Sequence, residues 1–199
     1  MNKAKRAAIF GGTFNPPHIG HLLIGIRAKQ SFNLDKVIYV PARVPPHKKG
    51  ADIAGAKHRM EMVKLLISGH NDFFMSDAEI KRQSVSYSVD TVKFFLNEFP
   101  DKKFYFITGS DAFYHIDTWK NYEEFLSLID FIVYERKGFP KNKIISKYSH
   151  LKNINWLAGD IIPVSASEIR QRSKNGENCT EETGSAVWEY IEKNNLYKG

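Results

Sequence analysis

Residues 7–22 read AAIFGGTFNPPHIGHL, and the fold turns on how this stretch is understood. Four apolar residues run straight into two glycines, a threonine, two prolines and two histidines. A simple turn uses two or three such residues; a site that holds a phosphate uses nearly all of them. Gly11 and Gly12 permit backbone conformations and close approaches that a Cβ forbids. With Thr13 and Phe14 they form a turn whose N–H groups, joined by those of a helix beginning near His18, can cradle an anion. His18 and His21 are three residues apart, so on a helix they share a face and both can point at a bound phosphate. Gly20 between them costs about 1 kcal/mol of helix propensity against alanine, which implies that something approaches closely there. A tight strand-to-helix turn with two surface histidines accounts for the glycines but not for the pairing.

Working outward, apolar runs bounded by turn residues recur at 7–10, 37–40, 73–75, 104–108 and 131–134. Short runs of this kind read as buried strands of a parallel sheet. Between them, Ile19, Leu22, Leu23 and Ile26 repeat with helical period. So do Met60, Val63, Leu66 and Ile67, and then Val92, Phe95, Leu96 and Phe99. Strands alternating with helices predict βαβ units and an α/β fold with a doubly wound parallel sheet. The stretch GSAVWEYIEKNNLY, 184–197, adds a C-terminal helical part with Val187, Tyr190 and Ile191 inward. No repeat, low-complexity tract or linker divides the chain, so residues 1–199 are expected to form a single domain. In such a sheet, ligands sit beyond the carboxyl ends of the strands, where residues 11–21 lie.

The composition is that of a soluble globular protein, 42% hydrophobic and 26% charged. The first six residues are too short for a signal peptide, and no apolar run approaches the roughly 20 residues that span a bilayer. A cytoplasmic enzyme with no membrane partner fits. The single cysteine, Cys179, excludes an internal disulfide and a cysteine-based metal site, and reads as a bystander in a polar loop. The net charge of +7 favours anionic partners without choosing among them, since the basic residues are dispersed.

GGTFNPPHIGH resembles the H-x-G-H motif of the nucleotidyltransferase superfamily, which binds the phosphates of ATP or CTP and has a Rossmann-like fold. That resemblance implies a second, serine- and threonine-rich motif followed by arginine, and VSASEIR, 164–170, is similar to it. Ser165 or Ser167 can cap a helix there, and Arg170, one turn inside, can grip a phosphate bidentately. Further stretches resemble bacterial nicotinate mononucleotide adenylyltransferases: VPPHKK (44–49), SYSVDT (86–91), TGSDAFYHIDTWKNYEEF (108–125), YERKG (134–138) and YIEKNNLY (190–197). The match spans about residues 7–197. Asn15 stands where that family usually has aspartate, which puts a metal-holding role there in doubt. Ser88, Ala166 and Ser167 replace threonine, serine and threonine.

The resemblance implies adenylyl transfer from ATP to nicotinate mononucleotide, giving deamido-NAD and pyrophosphate in NAD biosynthesis. His18, His21, Lys48 and Arg170 would carry the chemistry. ATP would meet Gly11, Gly12, Thr13, Phe14, Gly109, Asp111, Arg136, Ser165 and Ser167 as well as the two histidines and Arg170. The mononucleotide would meet Thr13, His47, Lys48, Tyr87 (through its backbone rather than its ring), Ser88, Trp119 and Lys120. Trp119 reads either as a stacking platform for the pyridine ring or as core packing. Mg²⁺ is expected on the triphosphate, held by substrate oxygens and water, with no metal ligands from the chain. His58, His70 and His150 are read as exposed and without a role. A pantetheine-phosphate adenylyltransferase or a cytidylyltransferase is the nearer rival, but lacks counterparts to SYSVDT and the tryptophan segment. An RNA-binding module, suggested by the basic charge, lacks room for an anticodon-binding domain, so no specific nucleic-acid partner is expected. The sequence leaves the oligomeric state open, a homo-oligomer included.

Overall fold

A computed structural model describes residues 5–43, 53–82 and 85–198. Six strands form one sheet: β1 (Arg6–Gly12), β2 (Lys36–Pro41), β3 (Phe73–Met75), β4 (Lys103–Gly109), β5 (Asp130–Tyr134) and β6 (Ile154–Leu157). Their order is β3-β2-β1-β4-β5-β6 and every pairing is parallel. This is the Rossmann-like order, with its reversal between β1 and β4. The expected α/β doubly wound sheet is therefore present, with one strand more than the apolar runs indicated. β6 escapes the sequence because Asn153 and Asn155 interrupt its apolar run; it is an edge strand whose first three residues are only half-buried.

Alternation along β1 distributes its side chains to two cores. Ala7 and Ile9 join Phe104, Phe106, Phe113, Phe125 and Phe131 on one face, while Ala8 and Phe10 join Ile24, Val37, Tyr39 and Ile107 on the other. The first face is covered by α4 (Ser88–Glu98), α5 (Ser110–Tyr114), α6 (Tyr122–Leu128) and α7 (Lys141–Lys147). The second is covered by α1 (Ile19–Phe32) and α2 (Ala56–Leu66). A short helix, α3 (Ala78–Lys81), follows β3. Burying each of Phe113, Phe125 and Phe131, none more than marginally exposed, contributes about 1.5–3 kcal/mol.

The remaining helices are α8 (Ala166–Lys174), α9 (Thr180–Thr183) and α10 (Ser185–Lys193). They build a third apolar cluster with α2, in which Met62, Ile169, Val187, Trp188 and Ile191 surround Cys179. Cys179 is thus a core residue with no exposed surface, not a loop bystander; the polar letters around it belong to the rims of α8 and α9. His58 is corrected likewise. Its Nδ1 lies 3.0 Å from the Tyr190 hydroxyl, joining α2 to α10 rather than facing solvent. His70 stacks on Phe73. No helix among the described residues is long and apolar enough to cross a membrane.

Candidate active site

A cavity of about 790 Å³ opens at the carboxyl ends of β1 and β4, across the point where the strand order reverses. That volume is within the range of small-molecule and cofactor sites. Gly11, Gly12, Thr13, Phe14, His18 and His21 line it, as do Tyr87, Ser88, Gly109, Asp111, Trp119, Lys120, Arg136, Ser165, Ser167 and Arg170. His47 and Lys48 lie outside the described residues.

The loop after β1 differs in detail from its sequence reading. The left-handed residue is Phe14, at φ 50°, not a glycine. Its ring turns back into the core, 5.8 Å from Phe10 and 4.9 Å from His21 between centroids. A Cβ on Gly12 would stand 3.1 Å from the Phe14 ring, so the glycine serves that close approach. His18 is the extended residue preceding α1 (φ −149°), and its backbone N–H donates to His21 Nδ1 at 3.2 Å. The two histidines meet through a cap and ring contact, centroids 3.8 Å apart, rather than as neighbours on a helical face. Because His21 Nδ1 accepts, its Nε2 carries the proton and can donate outward.

Gly20 has a specific cause as well. A Cβ there would lie 2.9 Å from His18 Nδ1, so the close approach is by the imidazole and not by a ligand. His18 is only 5% exposed, and its Nδ1 is buried without a hydrogen-bond partner. Burial, helped by the Arg136 guanidinium, pushes its pKa down to about 3. At neutral pH this ring is a neutral donor.

Opposite the loop, Ser165 takes the position before α8, but its hydroxyl bonds to that of Ser167 (2.7 Å) rather than capping the backbone. The first internal bond of α8 runs from Ile169 N–H to Ser165 O, so the N–H groups of Ala166, Ser167 and Glu168 lead the helix. Arg170 reaches back to the β1 loop. Its Nη1 donates to Asn15 O at 2.8 Å and to Ala166 O at 3.1 Å. A guanidinium has five donors, so its other edge can still serve an anion. At the end of β4, Arg136 Nε stands 3.7 Å from Asp111 Oδ2, and a Cβ on Gly109 would collide with Asp111 Oδ1 at 2.4 Å.

The far end of the cavity is built by α4 and Trp119. Asp90 N–H makes the first internal bond of α4, to Tyr87 O, leaving the N–H groups of Ser88 and Val89 in front of it. Trp119 is stacked on Phe125 (5.8 Å, 13°) and also lines the cavity. Lys120 Nζ sits 4.4 Å over the Tyr87 ring and 3.5 Å from Asp90.

Several residues here were not foreseen. Arg59 is 1% exposed and donates to three backbone carbonyls, Ala54 O (2.9 Å), Thr13 O (2.8 Å) and Arg43 O (3.1 Å). The buried Glu79 carboxylate accepts from the Thr91 hydroxyl at 2.6 Å, which itself accepts from Arg82 at 2.5 Å. Burial pushes the Glu79 pKa up. Asn15 Oδ1 accepts from Ala54 N–H (2.9 Å) and the Tyr197 hydroxyl (2.8 Å), so position 15 faces inward. An amphipathic pattern marks Arg59 as surface, and no local signal links Tyr197 to Asn15.

A glycine loop ending in a histidine pair after β1, an arginine-bearing helix facing it and a cavity at the strand-order reversal define a nucleotidyltransferase. The Cytidylyltransferase-like family model matches residues 9–172. A Clostridium novyi protein named "Probable nicotinate-nucleotide adenylyltransferase" is 39% identical over 98% of this chain and 100% of its own. A Clostridium botulinum protein of the same name is 38% identical over 96% of this chain and 98% of its own. Among solved structures, the Plasmodium falciparum nicotinic acid mononucleotide adenylyltransferase complexed with NaAD superimposes with a TM-score of 0.82, at 23% identity over 97% of both chains. The chain belongs to the nicotinate-nucleotide adenylyltransferase family, transferases of nucleotides that move an adenylyl group in NAD biosynthesis.

Proposed function

We propose that this chain joins ATP to nicotinate mononucleotide, giving deamido-NAD and pyrophosphate, and works in the cytoplasm. The observation that carries the reading is one cavity lined by the His18–His21 pair, the 11–14 loop and Arg170 as well as by Ser88, at the start of α4, and the Trp119 indole. A phosphate oxygen of the mononucleotide attacks the α-phosphorus of ATP. The new P–O bond forms as the bond to the β-phosphate oxygen breaks, and its electron pair leaves with pyrophosphate. The attacking phosphate has a second pKa near 6, so it is largely ionised already and no general base is needed. Catalysis is then in-line positioning and neutralisation of the leaving group.

His18 and His21, with the N–H groups of the 11–14 loop and the start of α1, hold the triphosphate in this reading. Arg170 and the N–H groups leading α8 close on it from the other side. Lys48 and His47 are assigned to the phosphates by the family resemblance alone. Gly109 lets the chain pass close to the nucleoside, with Asp111 toward the ribose hydroxyls and Arg136 adding positive charge. Thr13 lies between both substrates. Mg²⁺ bound to the triphosphate would further neutralise its charge. That ion would be held by substrate oxygens and water rather than by side chains of this chain. The inward-facing Asn15 fits the same arrangement.

At the other end, the N–H groups of Ser88 and Val89 and the Ser88 hydroxyl meet the nicotinate carboxylate, and Trp119 stacks on the pyridine. The helix end contributes about 0.3–1 kcal/mol, up to about 2 when partly buried, and each hydrogen bond to the charged acceptor about 1.5–3 kcal/mol. Together these favour the acid over the amide by about two orders of magnitude or more in kcat/KM. The test is pyrophosphate release from ATP with nicotinate mononucleotide, nicotinamide mononucleotide and phosphopantetheine in parallel. The acid should be the best acceptor; phosphopantetheine turning over faster would refute the proposal.

A further inference from the structure

We infer that Tyr197 is a positioning residue for the ATP-phosphate loop, acting through Asn15 from 182 positions away in the chain. The inference rests on the proposal that the 11–18 loop takes the phosphates of ATP.

This loop has little regular structure of its own beyond the end of β1, and it contains Phe14 in the left-handed region. Its shape is fixed from behind. Arg59 holds Thr13 O, Arg170 holds Asn15 O, and Ala54 N–H and the Tyr197 hydroxyl converge on Asn15 Oδ1. Of these, only the Tyr197 bond can be removed by deleting a single atom while leaving a ring of the same shape. The ring is 9% exposed and belongs to the apolar cluster beneath α8 and α10, so its hydroxyl emerges from that cluster directly onto the loop.

Two features mark the contact as more than packing. Tyr197 adopts φ 62°, an outlier for a bulky aromatic residue, so the backbone is held in an unfavourable conformation that aims the ring. Burial also raises its pKa, so the phenol stays protonated and donates to Asn15 Oδ1 throughout the working range. Asn15 stands between Phe14 and the Pro-Pro-His18 stretch. Removing one of the donors that hold its side chain therefore loosens the backbone that sets both Thr13 and the His18 N–H on which the His21 ring depends. Ser88 and Trp119, which also line the cavity, belong to α4 and the segment after α5.

The test is Tyr197→Phe, read as separate KM values for the two substrates and as the Kd of a non-hydrolysable ATP analogue by calorimetry. Loss of one neutral hydrogen bond should weaken the analogue and raise the ATP KM about threefold to tenfold. The nicotinate mononucleotide KM should rise less than that of ATP, since Thr13 is the one residue of this loop assigned to both substrates. In a cycle with Asn15→Ala, the double variant should bind the analogue no more weakly than the worse single variant. Unchanged analogue affinity in Tyr197→Phe, or equal rises in both KM values, overturns the inference, whatever happens to the melting temperature. Wild-type protein that fails to bind the analogue at all overturns the phosphate-loop proposal as well, and so separates the two failures.

Discussion

Replacing His18 by asparagine should flatten the acid side of the stability curve. His18 is 5% exposed, and its pKa falls from 6.5 to about 3 because burial disfavours the imidazolium. The unfolded chain binds a proton at this residue below about pH 6.5 while the folded chain does not. Stability therefore rises with pH through that window and is lost as pH falls, at about 1.4 kcal/mol per pH unit. From pH 6 to pH 4.5 the single residue removes about 2 kcal/mol from the wild type and nothing from the variant. Other titrations, the raised Glu79 carboxyl among them, are common to both proteins and cancel in the difference. The assay is urea unfolding followed by tryptophan fluorescence at half-unit steps from pH 7.5 to 4.5. Parallel curves for the two proteins would mean that His18 is already charged or already hydrated in the fold, and the neutral-donor assignment would fail.

Four other outcomes test the site. Gly20→Ala should lower kcat at least about tenfold without lowering the melting temperature, because the new methyl displaces His18 while alanine favours the helix by about 1 kcal/mol. Arg59→Met should cost about 3 kcal/mol or more in urea unfolding, since Ala54, Thr13 and Arg43 lose carbonyl partners inside the fold; a change below 1 kcal/mol would show that these carbonyls find water. Arg170→Lys should reduce kcat/KM for ATP with little change in melting temperature, because a point charge cannot hold two carbonyls and a phosphate at once. Trp119→Ala should raise KM for both pyridine mononucleotides and leave that for ATP near wild type; unchanged KM values together with a lowered melting temperature would assign the indole to the core alone.

What the sequence made legible was local. The runs at 7–10, 37–40, 104–108 and 131–134 are apolar and bounded by turn residues, and each became a central strand longer by one to three residues. The HIGH segment pointed to a cavity-lining histidine pair because a strand-to-helix turn by itself requires neither histidine. The sequence also assigned the special backbone geometry to Gly11 and Gly12, whereas Phe14 carries it, because nothing local shows that an aromatic ring will be pulled into the core. The supports behind the loop were invisible for a related reason. Arg59, Tyr197 and Cys179 acquire their roles only when α2, α8 and α10 pack together, and the letters around them read as polar surface. Short helices such as α5 and α7 have too few turns for periodicity to declare them.

The long reach of the Tyr197–Asn15 bond has a consequence for biosynthesis. A nascent chain that has reached residue 180 already contains every strand of the sheet and the histidine pair, yet it lacks the hydroxyl that secures the loop and the α10 segment that buries Cys179. The sheet can therefore form before the 11–18 loop is anchored, and the loop takes its final shape only once α8, α10 and the Tyr197 segment have packed against it.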